Sequence, residues 1–332
     1  MIADNRIAEN AGWDEELLRL ELQDLQAEGF DLDLTGFDAD ALADLLAGDE
    51  PSTRPDRRRC GARGAGDAGV RLGDVWFMGP HRLLCGDATT AESLRALFPH
   101  GERADMVFTD PPYNVDYANS AKDKLRGKAP PDPQRRRWAT GSTTSCGDAL
   151  TLSIAHCQGA IYVAMSSSEL DTLQAAFRAA GGHWSTFIIW AKNTFTLGRS
   201  DYQRQYEPIL YGWPEGATRH WCGDRDQGDV WQIKKPQKND LHPTMKPVEL
   251  VERAIRNSSR PGDVVLDPFG GSGTTLIAAE KSGRVARLIE LDPKYVDVIV
   301  RRWQDWTGQQ ATREADGVAF DQAASAASAI AQ

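Results

Sequence analysis

No stretch of the chain approaches the roughly 20 consecutive apolar residues that crossing a bilayer requires. The opening MIADNRIAEN lacks the basic and apolar blocks of a signal peptide. A membrane location is therefore not expected, and a cytoplasmic one is. Cysteine is scarce: Cys60, Cys85, Cys146, Cys157 and Cys222 are an odd, scattered set without a C-x-x-C pair. That excludes a disulfide framework and gives no zinc pattern, so they read as buried or incidental thiols and no metal is expected. No internal repeat is present, which excludes a solenoid. What the 332 residues do offer, with an apolar fraction of 41%, is enough material for one large α/β domain with an appendage.

The charge is unevenly placed. The chain carries a formal net charge of -10, but residues 1–50 hold 15 Asp and Glu against only Arg6 and Arg19, and the remainder has 36 basic against 33 acidic residues. The body is thus slightly basic and can present a positive face to phosphates, although the whole chain is acidic. Trp13 to about Gly29 reads as an acidic amphipathic helix with Leu18, Leu22 and Leu25 on one face and Asp14 placed to cap it; a second short helix covers Asp38 to Ala47. The stretch DNRIAENAGWDEELLRLELQDL resembles segments that follow ParB-like domains in phage and plasmid proteins fused to methylases, without the ParB-like core. Residues 1–47 are read as a helical appendage that either binds a protein partner or caps the main domain. Residues 48–71, rich in Gly, Pro, Arg and Asp, read as a flexible linker, and its Arg57-Arg58-Arg59 run as solvated.

From Leu72 to about residue 310, short apolar runs alternate with amphipathic stretches, the pattern of a mostly parallel sheet with helices on both faces. Strands are expected at Met106–Thr109, Ala160–Ala164, Thr186–Trp190, Pro208–Tyr211, Val264–Leu266 and Val285–Ile289. Helices are expected at Ser168–Ala180, Val248–Asn257, Thr274–Ser282 and Pro293–Trp306, and residues 311–332 read as a C-terminal tail.

Two loops carry chemistry. The strand ending at Asp267 runs into Pro268-Phe269-Gly270-Gly271-Ser272-Gly273-Thr274-Thr275, whose glycines allow a tight turn and close approach to a ligand. A phosphate-binding P-loop would need Lys after Gly273, where Thr274 stands; a nicotinamide fingerprint would need glycine at Leu276. The next strand ends at Glu290, whose carboxylate can accept hydrogen bonds from both ribose hydroxyls of a nucleoside. The second loop, Asp110-Pro111-Pro112-Tyr113, follows an apolar strand. An aromatic amine is a poor nucleophile because its lone pair is delocalised. The Asp110 carboxylate and the Pro111 carbonyl can accept hydrogen bonds from such an amine and favour a pyramidal nitrogen. Pro112 stiffens the loop and Tyr113 offers a flat face for an extruded base.

Together these motifs resemble the β-class of DNA amino-methyltransferases, in which D-P-P-Y precedes the cofactor loop. The order is permuted relative to most class I methyltransferases. The resemblance spans about Leu72 to Gly308 and implies a Rossmann-like class I methyltransferase fold, S-adenosylmethionine as cofactor, double-stranded DNA as substrate and N6 of a flipped adenine as acceptor. Asp in the first place favours adenine over the N4 of cytosine. It further implies that Asp267 faces the methionine end of the cofactor, that Phe269 to Gly273, with Pro268 and Thr274, shape its loop, and that Glu290 binds the ribose. Gly86-Asp87-Ala88 matches the class's G-D-[AC] element, which puts Asp87 on the adenine. His242-Pro243-Thr244-Met245-Lys246-Pro247 matches H-P-T-x-K-P, with Thr244 and Lys246 suited to the methionine carboxylate and His242 open between a contact and a mere helix entry. A homodimer is a further implication.

Two polar stretches suit phosphates: residues 119–137, with seven Lys and Arg, as a DNA contact or a solvated loop, and Lys192 to Leu241 as the target-recognition candidate, some of whose tryptophans must pack the sheet. The alternatives are an N4-cytosine enzyme, a protein-glutamine methyltransferase, which would more often carry Asn before Pro-Pro-Tyr, and, in another class, an idle DNA- or partner-binding module.

Overall fold

The computed structural model describes residues 69–111, 143–167, 170–196, 201–234 and 245–330. All lie in the second of the two units into which the chain divides, Gly61–Gln332. The helices expected in residues 1–47, almost all of the linker, Pro112, Tyr113, the basic stretch 119–137, His242 and Thr244 fall outside the described residues.

In chain order the elements are β1 (Val75–Met78), β2 (His81–Cys85), α1 (Ala91–Leu97), β3 (Ala104–Thr109), α2 (Thr143–Ala155), β4 (Cys157–Ala164), α3 (Leu170–Ala179), β5 (Gly182–Thr196), β6 (Arg204–Pro214), β7 (Val230–Gln232), α4 (Val248–Ser258), β8 (Val264–Asp267), α5 (Thr274–Ser282), β9 (Val285–Glu290), α6 (Pro293–Thr307), β10 (Thr312–Arg313) and α7 (Phe320–Ile330). The ten strands form one sheet in the order β10-β1-β2-β9-β8-β3-β4-β6-β5-β7. Its middle, β2-β9-β8-β3-β4, is parallel throughout. Antiparallel pairs flank it on both sides, β10-β1-β2 on one and β4-β6-β5 on the other, and β5-β7 is parallel again. This is the doubly wound, Rossmann-like architecture expected, with more antiparallel margin than the alternation of apolar runs indicates.

Side-chain alternation on buried strands sends neighbours to opposite faces and so makes two cores. Ala160, Tyr162 and Ala164 of β4 join Leu250, Leu276, Val296 and Trp303 from α4, α5 and α6. Ile161 and Val163 join Leu94, Leu150, Leu173 and Phe177 from α1, α2 and α3. A register shift in β3 between Ala104 and Met106 puts Ala104 on the second face while Met106 and Phe108 lie on the first.

Helix ends follow local chemistry. Asp292 caps α6, its carboxylate accepting from the Lys294 amide at 3.0 Å, with Pro293 at the first helical position; Gly283 and Gly308 close α5 and α6 in the left-handed region.

The segment read as a tail is built into the fold. Thr312 and Arg313 pair with β1, and Phe320, 1% exposed, stacks edge-on against the fully buried Trp76 at 5.1 Å. Its Ala-rich helix carries too few large apolar residues to show a stripe in sequence. Phe320→Ala should therefore lower the unfolding free energy by about 3–5 kcal/mol, the usual cost of emptying a buried aromatic site, measured by urea titration. A loss below about 1 kcal/mol would mean that the segment is not part of the core.

Candidate functional site

Adjacent parallel strands end at the same edge of the sheet, so whatever follows them is gathered there. Asp87 follows β2, Glu290 ends β9, Asp267 ends β8 and Asp110 follows β3, and these four strands are neighbours in that order. Registers carry the point further: Cys85 pairs with Glu290, Asp267 with Leu288, and Val107 with Leu266. β8-α5-β9 winds away to one side of β8, and β3-α2-β4 winds to the other side of β3. The gap between β8 and β3 is thus the topological switch point, where doubly wound sheets bind their ligands.

The glycine turn is held rigidly. The Gly271 amide donates to Glu290 Oε2 at 2.8 Å and the Asp292 amide to Oε1 at 2.9 Å. Asp267 accepts from the Phe269 amide at 3.1 Å and from the Thr275 hydroxyl at 2.6 Å. Gly271 and Gly273 have φ of +53° and +78°. A Cβ on Gly273 would sit 3.0 Å from Ile299 Cγ2, so glycine is required there for conformation and for space. Burial pushes both Asp267 and Glu290 up to about 7, against the hydrogen bonds that favour their ionised forms. Asp87 closes its own turn, accepting from the amide and hydroxyl of Thr89 at 2.9 and 2.7 Å.

Asp110 meets a cation. Lys246, only 7% exposed, places Nζ 2.5 Å from Asp110 Oδ2 and 3.1 Å from Glu207 Oε2, while Lys192 Nζ lies 2.5 Å from Glu207 Oε1. Desolvation opposes the Lys246 charge, but the carboxylates of Asp110 and Glu207 outweigh it and hold the ammonium above the ordinary lysine range. For Glu207, burial works upward, yet Lys246 and Lys192 keep it below the ordinary range. The Lys246 carbonyl also faces the Thr274 hydroxyl at 3.4 Å, so one residue touches both loops.

The structure therefore brings together Asp87, Asp110, Pro111, Lys246, Asp267, Pro268, Phe269, Gly271, Gly273, Thr274 and Glu290 at one edge. Lys246, suited by its motif to a methionine carboxylate, meets the Asp110 carboxylate in this structure. Glu207 belongs to no motif and was missed, and Lys192 stood out only as part of the phosphate-suited stretch. The available signal is a lone charge entering the apolar run Pro208-Ile209-Leu210-Tyr211, since a charge on a buried strand needs a partner. In the target-recognition candidate, Trp231 is buried and Trp213 stacks on His183 at 4.8 Å, whereas Trp221 is 37% exposed. β6 and β7 run through that stretch, so part of it belongs to the sheet. Among the described residues no helix is long and apolar enough to cross a membrane.

The chemistry of this edge fits a cationic nucleoside. Acceptor-only carboxylates suit ribose hydroxyls and an ammonium or sulfonium centre, and the Gly271 backbone leaves room for close approach.

Residues 104–301 match the model of the N6/N4-type DNA methylase family, and residues 16–67 match that of the ParB-methyltransferase HTH domain, a match extending across much of the expected linker. The type II methyltransferase M.BglII of Bacillus subtilis is 26% identical over 58% of this chain and 62% of its own length. The DNA adenine methyltransferase YhdJ of Escherichia coli is 27% identical over 60% of this chain and 76% of its own. Among solved structures, the M1.HpyAVI-SAM complex aligns with a TM-score of 0.50 at 21% identity, covering 66% of this chain and 98% of the other. The cytosine-N4-specific PvuII DNA methyltransferase aligns with a TM-score of 0.50 at 16% identity, covering 75% and 92%. These likenesses bear on the fold.

Gly273→Ala should cost about 1–3 kcal/mol of stability, the price of a side chain in a left-handed turn, before any contact with Ile299 is counted. Chemical denaturation of the purified variant checks it, and a wild-type midpoint would mean the turn relaxes freely.

Proposed function

Because the chain belongs to the N6/N4 DNA methylase family, we propose that it transfers a methyl group from S-adenosylmethionine to N6 of an adenine extruded from double-stranded DNA. The observation that carries this reading is the β3-β8 pair, which sets the Asp110 loop beside the Asp267 turn. Asp as the first residue of the tetrapeptide favours adenine, and the adenine-methyltransferase relative points the same way.

In this reading the Asp110 carboxylate and the Pro111 carbonyl accept hydrogen bonds from the exocyclic amino group and orient its lone pair. Tyr113 stacks on the extruded ring, and Pro112 restricts the loop that carries both. Glu290 accepts from the ribose hydroxyls, Asp87 from the adenine, and Asp267 with Pro268, Phe269, Gly271, Gly273 and Thr274 forms the wall beside the methionine portion. Thr244, by its place in the H-P-T-x-K-P motif, offers a hydroxyl to the methionine carboxylate. When bound, the cofactor supplies an electrophilic methyl group on a sulfonium. The protein positions and desolvates the reactants. The basic stretch 119–137 and the exposed part of 192–241 supply cations for DNA phosphates, and the enzyme acts in the cytoplasm as a homodimer. The N-terminal match to a helix-turn-helix family supports a role for residues 16–67 in partner or DNA contact.

Incubation with labelled cofactor and assorted duplexes, followed by nucleoside analysis, should yield N6-methyladenine; N4-methylcytosine would replace the acceptor, and no transfer to any duplex would remove the activity. Asp110→Ala should lower transfer by at least about 100-fold, the scale of losing one positioned acceptor at a reacting group. Cofactor affinity should stay within a few-fold by calorimetry; equal loss of both would reassign Asp110.

Affinity should also depend on pH. Glu290, pushed up to about 7 by burial, accepts from two hydroxyls only when ionised. Binding is then full above that value and weakens as pH falls through it, by about tenfold from pH 8 to pH 6. A flat calorimetric profile would place the ribose elsewhere.

A further inference from the structure

The Lys246 ammonium already engages one oxygen of the carboxylate that the target amine would approach. Its hydrogen bond to Asp110 Oδ2 is 2.5 Å long, whereas Glu207 Oε2 stands at 3.1 Å as an ion contact. A charge-assisted bond of this kind outcompetes one from a neutral amine, so a Lys246-Asp110 pair left to itself would be a closed arrangement. Two features prevent that. Glu207 is fixed: it sits in the β6 ladder opposite Trp190, and its other oxygen is held by Lys192 at 2.5 Å. Lys192 is fixed in turn, lying 4.9 Å above the Trp190 ring in the β5 ladder. The four groups alternate in sign, Lys192, Glu207, Lys246, Asp110, and sum to zero. Lys246 can therefore shift its weight from Asp110 to Glu207 and still keep a carboxylate partner of its own.

We propose that Glu207 is a positioning residue for methyl transfer: it gives the Lys246 ammonium a second seat and so keeps the Asp110 carboxylate able to take the amino group of the target base. Lys192 acts as the counter-charge that keeps Glu207 from adding a second net negative charge beside Asp110. The role rests on the reading of Asp110 as the acceptor of the amine. It predicts that removing the charge at Glu207, without changing its shape, leaves Lys246 committed to Asp110.

In the full chain, Glu207→Gln should lower the single-turnover rate on a methylatable duplex by about 10- to 100-fold, the scale of misplacing a reacting group by an ångström. KM for DNA and cofactor affinity should stay within twofold. In a Lys246→Met background the same substitution should change the rate by less than twofold, because Glu207 acts through Lys246. An unchanged rate in Glu207→Gln, a matching fall in cofactor affinity, or a second full loss in the Lys246→Met background would each overturn the role. A readout independent of turnover is the Lys246 ammonium signal in nitrogen-15 lysine-labelled protein, identified by its disappearance in Lys246→Met. Its hydrogen exchange should change severalfold in Glu207→Gln, and an unaltered signal would overturn the proposal even if no duplex is methylated. Absence of methylation by the wild-type chain, with the ammonium response present, would instead sink the transferase reading alone.

Discussion

Parallel pairing of β3 with β8 is the constraint on which the site depends. Parallel strands keep their carboxyl ends together, and the pairs Met106-Val265 and Val107-Leu266 set the two loops level to within a residue or two. Each strand end then delivers a different group: an acidic side chain in a proline-stiffened loop from β3, and a glycine turn with Asp267 at its root from β8. Neither loop needs a long excursion to reach the other. The remainder of the sheet braces this pair, β9 and β2 adding Glu290 and Asp87, and β4 and β6 bringing Glu207 from the opposite flank.

The electrostatic consequence is an edge crowded with carboxylates. Burial strips hydration from these carboxylates and pushes Asp267 and Glu290 up to about 7, with smaller repulsion from Asp110 at the first and Asp292 at the second. Backbone amides relieve part of this at Glu290, where both oxygens are engaged, and the Thr275 hydroxyl does so at Asp267. Lys246 stands against Asp110 as its counter-charge. A cationic ligand would supply the same relief more completely, so the carboxylates favour a positively charged cofactor by the same physics that makes their own ionisation costly.

Much of this was legible in the residues, and the parts that were not have physical reasons. D-P-P-Y and F-G-G-S-G-T-T can be seen because each follows an apolar strand and contains residues that a strand or helix interior would reject. The ends of β8, α4, α5, β9 and α6 were close to expectation because glycine, proline and capping residues mark them. β1, β2, β7 and β10 went unseen: each is five residues or fewer, too short for a period-2 pattern to stand out, and they are stabilised by partners far away in the chain. α7 escaped because alanine carries little apolar signal, and its attachment is concentrated in Phe320 against Trp76. The joint role of Glu207 and Lys192 was hidden for another reason. Their meaning lies in a third residue, Lys246, contributed by a separate loop, and pairwise spacing along β5 or β6 carries no trace of it.

The order of the motifs along the chain is the last point that the sheet explains. Asp110 precedes Asp267 by more than 150 residues, yet the strands that carry them touch. What a site at a switch point requires is that two neighbouring strands wind off in opposite directions, here through α5 on one face and α2 on the other. Nothing in that requirement says which strand is made first. Moving the chain ends leaves the pairing, the two cores and the four carboxylates in place. Motif order is thus a record of how the chain is cut, whereas the spacing between loops across the sheet is fixed by hydrogen bonds that hold neighbouring strands about 4.8 Å apart in any version of it.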